Sequence, residues 1–190
     1  MILRVLASIV LYFGFSQQIS VAESHSYLSE CYLVSKETII INEREIELSL
    51  FYQRGFHFNE YFSHNNLLDR FEYFSKKYML EFSPKDLSCS SDKVSLYIMK
   101  KSTLNDRSIF DNWYSTGGYE GQASGTLIGL TRVRNGVSEI YISDYRVDYN
   151  KPLSHEISHF LYRKSCENIS DKYKDESRAL YFQKKYAGEY

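Results

Sequence analysis

The segment from Asn150 to Tyr162, Asn-Lys-Pro-Leu-Ser-His-Glu-Ile-Ser-His-Phe-Leu-Tyr, constrains this chain most, because it dictates a helix and commits both of its faces. Asn150 suits a helix cap, and Pro152 is tolerated in a first turn, where a missing N–H costs nothing. His155 and His159 stand four residues apart and differ by only about 40° around the helix axis, so both imidazoles can reach one metal ion. Leu153, Ile157, Phe160 and Leu161 gather on the opposite face, which can enter a core while the histidines face a cleft. The pattern is His-Glu-x-x-His. It offers two neutral imidazoles suited to Zn2+, with Glu156 beside them to act as a base. The bland alternative is two surface histidines on an ordinary amphipathic helix.

A catalytic zinc site takes a third protein ligand and leaves the fourth position to water. The arrangement with Gly and His further along the same helix is excluded, because Tyr162 and Ser165 occupy those positions. Glu167 falls past the end of the helix and is badly placed to return. Glu176 is better placed. Ser170-Asp171 can start a second helix from about Lys172 to Tyr186, on which Glu176, Ala179, Leu180 and Gln183 share a face and Ala179 permits close approach.

Upstream the chain is strand-rich. Glu37 to Asn42 and Glu45 to Tyr52 predict a hairpin around Asn42-Glu43-Arg44. Asn59 to Met79 predicts a helix, with Leu67, Leu68, Phe71, Phe74 and Tyr78 at spacings of one, three and four and with Pro84 beyond its end. Val94 to Met99 is a further strand. Gly117 to Gly125 is a glycine-rich loop that lacks phosphate-binding spacing. Thr126 to Arg134 and Val137 to Tyr145 flank Asn135-Gly136, the dipeptide best suited to a type I′ turn.

The 190 residues allow one domain, and a formal charge of −1 leaves no basic stripe for nucleic acid. Residues 1–22 are expected to be an export signal. Arg4 precedes the apolar run Val5 to Phe15, which is too short to span a bilayer, and Ser20-Val21-Ala22 puts small residues at the −3 and −1 positions of a cut after Ala22. Positions 23–190 would then form the domain, secreted or periplasmic, with no stable membrane insertion. In that oxidising setting Cys31, Cys89 and Cys166 predict one disulfide and one free thiol, with the pairing left open.

From Val94 to Tyr186 the chain resembles the gluzincin metallopeptidases, and most closely the minimal peptidase-MA-like group, through His155-Glu156-Ile157-Ser158-His159 and Glu176-Ser177-Arg178-Ala179. That group has Glu-Gly-x-Ala after a Trp; Ser177 stands at the Gly position here and the Trp is lacking. The resemblance implies an α+β, zincin-like fold with a small mixed or antiparallel sheet and with 94–190 as the catalytic core; it does not cover residues 23–93, the N-terminal hairpin and helix read from the pattern above. It implies zinc on His155, His159 and Glu176, catalysis by Glu156, and a peptide or protein substrate. A strand such as Val137 to Ser143, if it forms the edge above the cleft, would hold an extended peptide. Tyr162, Tyr181 and Tyr186 are candidate oxyanion donors, and the Asn59 to Met79 helix or a partner is the candidate for the other cleft wall. The rival reading is a catalytically silent zincin-fold module that binds without turnover.

Overall fold

A computed structural model describes residues 28–55, 63–104, 129–143, 149–167 and 171–190. The expected export signal and the glycine-rich loop lie outside them. Two hairpins frame the sheet. Strands β1 (Cys31–Ile41) and β2 (Arg44–Gln53) are joined by Asn42-Glu43, both at positive φ (50° and 64°), the backbone a two-residue I′ turn demands. These strands run further than the alternating pattern predicts, and a register shift between Leu33 and Ser35 absorbs an irregularity. At the other end, β4 (Gly129–Arg134) and β5 (Val137–Ser143) turn through Asn135-Gly136, at φ 50° and 77°.

Strand β3 (Lys93–Met99) lies between the hairpins, parallel to β2 on one side and to β5 on the other. The sheet order is β1-β2-β3-β5-β4, mixed, in an α+β chain with four helices among the described residues. β5 is therefore interior. The edge that faces the helix carrying His155 belongs to β4, which corrects the expectation placed on Val137 to Ser143.

Helix α1 (His64–Phe82) follows β2. It starts later than the periodicity suggests, because the Ser63 side chain accepts a hydrogen bond from the Asn66 N–H and caps it there. It ends at Ser83, whose left-handed backbone (φ 44°) turns the chain before Pro84. A four-residue helix α2 (Lys101–Leu104) follows β3, and α3 (Asn150–Lys164) and α4 (Lys172–Tyr186) complete the chain. None of the described helices is long and apolar enough to cross a membrane.

One sheet face and the long helices share a single core. In it Leu48, Leu50, Leu96, Ile98, Ile140 and Ile142 meet Phe71 and Phe74 of α1, Ile157 and Phe160 of α3, and Phe182 of α4. Phe71 packs on Phe160, and Phe74 and Tyr78 pack on Phe182. α1 therefore spends its apolar face on the core. On the other sheet face Phe51, Tyr97 and Tyr141 stack across β2, β3 and β5, with Arg132 over the last ring.

The C-terminal end of α3 is fastened twice. Cys166 is bonded to Cys89 across a separation of 77 residues, while Cys31 takes no part in a disulfide. Closing a loop of that length removes on the order of 4.5 kcal/mol of unfolded-chain entropy in the simple chain model. Lys164 is fully buried, and its ammonium donates to the carbonyls of Ser90 and Ser91 and to the Asp92 carboxylate at 3.0, 3.2 and 2.7 Å. A buried lysine demands such a set of acceptors.

Candidate metal centre

Helix α3 does not begin as its sequence suggests. Tyr149, whose side chain makes no capping hydrogen bond, stands at the cap, whereas Asn150 faces Arg70 of α1 and the Tyr190 carbonyl. Arg70 in turn lies 4.6 Å from the ring centres of both Tyr149 and Tyr190. The predicted apolar face holds: Leu153, Ile157, Phe160 and Leu161 are all buried. Ser154 and Ser158 are buried too, so α3 is enclosed on nearly every side, and His155 and Arg163 are among its few partly open positions.

Helix α4 brings the third candidate ligand. The Asp171 side chain caps it by accepting from the Lys174 N–H at 3.0 Å, which places the start where Ser170-Asp171 predicted. Ala179 and Phe182 are buried while Leu180 is 52% exposed, so Leu180 does not share the packed face. Arg178 fixes the angle between α3 and α4. Its guanidinium lies 4.7 Å from the rings of both Tyr162 and Phe82, and it donates to Glu167 at 3.0 and 2.8 Å. Glu167 is thereby committed to Arg178 and Lys174, and its carboxyl is held low first by the Arg178 hydrogen bonds.

With the helices so placed, His155, His159 and Glu176 converge. The two Nε2 atoms are 3.1 Å apart, Glu176 Oε1 is 3.5 Å from His155 Nε2, and Glu176 Oε2 is 3.4 Å from His159 Nε2. They form a group of possible metal-holding side chains whose ligand atoms all lie within 4.8 Å of one another. Tetrahedral zinc with arms of about 2.0–2.1 Å separates its ligand atoms by about 3.3 Å, so the donor set fits in chemistry and spacing.

Asp175, adjacent to Glu176, is the partner that the sequence reading missed. It accepts from His159 Nδ1 at 2.7 Å, which fixes the proton on that nitrogen and turns the Nε2 lone pair toward His155 and Glu176. Two neighbouring carboxylates on α4 thus reach the two nitrogens of one ring. Burial pulls the His159 imidazole down, but the Asp175 and Glu176 carboxylates outweigh it and raise the ring to about 9. Glu176 is held below the usual glutamate value, first by the His159 hydrogen bond. An ion on Nε2 would take the place of that proton. His155 Nδ1 is buried without a hydrogen-bond partner among the described residues.

Glu156 points to edge strand β4, where Gly129 and Thr131 lie on the face toward α3. The Thr131 hydroxyl is 2.8 Å from Glu156 Oε2 and 3.0 Å from the Glu156 carbonyl. A Cβ at Gly129 would sit 2.6 Å from Glu156 Oε1, so any larger residue would push the Glu156 side chain out of this position. One turn after His159, Arg163 pairs with Asp175 at 3.6 Å and donates to the Thr131 carbonyl at 2.8 Å. Its outer side lines a surface cavity of about 590 Å³ with Val133, Gly136 and residues 88–91.

The three tyrosines proposed as oxyanion donors are engaged elsewhere. Tyr162 is fully buried beneath Arg178, and Tyr181 and Tyr186 both donate to Glu81 of α1. Their number in the sequence gave no way to tell this. Compared with known protein families, curated proteins and solved structures, the chain matches none.

Proposed function

We propose that this chain is an exported zinc metallopeptidase of the gluzincin type, with a zincin-like fold. The observation that carries the reading is the convergence of His155, His159 and Glu176 at 3.1 to 3.5 Å, with Glu156 next to His155 in the chain and its carboxylate held by the Thr131 hydroxyl. A purely structural metal site has no use for a restrained carboxylate next to its ligands. His155, His159 and Glu176 would hold the ion, which supplies, when bound, Lewis acidity toward water and a peptide carbonyl.

The remaining chemistry belongs to the chain. Asp175 keeps His159 in the ligating tautomer. Glu156 accepts a proton from the attacking water and returns it to the leaving amine, and Thr131 orients the carboxylate for both transfers. Strand β4 has one neighbour, β5, among the described residues. Its other edge, apart from the Thr131 carbonyl that Arg163 holds, suits an extended peptide bound through main-chain hydrogen bonds. Export is supported by the Cys89–Cys166 disulfide, a bond that persists in oxidising compartments.

Metal analysis of the purified chain, with Glu156→Gln compared on an unstructured protein such as casein, tests the reading. The expected result is one zinc per chain in both proteins and at least 100-fold slower cleavage by the variant. Absence of zinc overturns the proposal. Zinc with equal background cleavage in both assigns the site to a silent binding module.

A further inference from the structure

We infer that Arg163 is a positioning residue that couples zinc occupancy to the placement of edge strand β4. The inference rests on the zinc reading above. Three elements meet at this side chain. From α3, Arg163 reaches Asp175 of α4 at 3.6 Å and the Thr131 carbonyl of β4 at 2.8 Å. Asp175 holds His159 at 2.7 Å, and the Thr131 hydroxyl holds Glu156 at 2.8 Å. The chain His159–Asp175–Arg163–Thr131–Glu156 therefore runs from a metal ligand to the base and returns to the same helix.

Burial gives the contacts their weight. The side chains of Asp175 and His159 are 12% and 11% exposed, so little water is available to replace a partner that Asp175 loses, although Arg163 itself is 22% exposed. Without Arg163, the Asp175 oxygen facing away from His159 loses its opposite charge and the carboxylate is free to turn. The Thr131 carbonyl also loses a donor, on a strand that has a single neighbour. Both ends of the site then loosen together. Partners that orient a ligating histidine typically set metal affinity by 10- to 100-fold.

The test uses the metal-free chain, its Arg163→Met and Arg163→Lys variants, and zinc as the probe. Zinc affinity is measured by competition with a chromophoric chelator, and amide exchange over residues 130–133 is followed with and without zinc. In the wild type, zinc slows exchange in β4. Arg163→Met binds zinc about tenfold more weakly and loses the zinc dependence of exchange, and Arg163→Lys, which keeps the charge but cannot bridge both partners, falls between. A lowered melting temperature with zinc affinity within twofold of wild type makes Arg163 an ordinary structural contact and overturns the inference alone. If Arg163→Met does not fold, Arg163→Lys carries the same comparison. Failure of the wild type to bind zinc overturns both this inference and the proposed function.

Discussion

Thr131 and Glu156 meet hydroxyl to carboxylate at 2.8 Å, and this contact joins the edge of the sheet to the helix that carries both histidines. It gives Glu156 one direction, and Gly129 two residues earlier leaves the room that this direction needs. Thr131→Val keeps the shape and deletes the hydroxyl, so kcat should fall about 10- to 100-fold with KM and zinc content unchanged, and Thr131→Ser should restore it. Gly129→Ala should be more severe, approaching the 100-fold or greater loss expected for a displaced general base. Steady-state kinetics on casein with parallel zinc analysis checks both.

Glu167 and Glu176, the first two glutamates after the histidine motif, should separate cleanly. Glu176→Ala removes a candidate ligand and should weaken zinc at least 100-fold in chelator competition. Glu167→Ala breaks the Arg178 pair instead, so it should leave zinc affinity within about threefold and lower stability by about 1 kcal/mol, read from urea unfolding.

The disulfide should account for a large part of the stability. Replacing Cys89 and Cys166 together by serine should cost about 2–4 kcal/mol in denaturant unfolding, below the loop-entropy ceiling because the remaining contacts partly hold the ends. Cys31→Ser should shift it by less than about 1 kcal/mol. Burial, then the neighbouring Glu30 charge, raises the Cys31 thiol to about 11, so alkylation of the native protein at pH 8 should be far slower than for a free cysteine.

Lys164→Met preserves volume but takes the donor from the Ser90 and Ser91 carbonyls, while Asp92, half exposed and also 3.7 Å from Arg44, keeps a partner. It should lower stability by about 2–3 kcal/mol and raise amide exchange in residues 89–92. Exchange elsewhere in the sheet should change little until global unfolding.

Acid should loosen the contact between α1 and α4. Glu81 accepts from Lys185, Tyr181 and Tyr186, and these hydrogen bonds depress its carboxyl from 4.5 to about 2. A depressed carboxylate stabilises the fold fully above pH 4.5 and loses that contribution as pH falls toward 2. The urea midpoint of Glu81→Gln should therefore vary less with pH across that window than the wild-type midpoint does.

What the sequence determined was local. Asn135-Gly136 dictates a turn because both residues tolerate positive φ. His155 and His159 share a helix face because a helix repeats every 3.6 residues, and Asp171 starts α4 because its side chain can bond the Lys174 N–H. Tertiary structure decided whatever depends on which distant elements become neighbours. It paired Cys89 with Cys166, buried β5 and left β4 as the edge, turned Asn150 from a cap into a partner of Arg70, and engaged Tyr181 and Tyr186 at Glu81. It also surrounded the histidine motif with Asp175, Thr131, Gly129 and Arg163. Spacing along the chain carries no sign of these four, because they meet only after α3, α4 and β4 have packed.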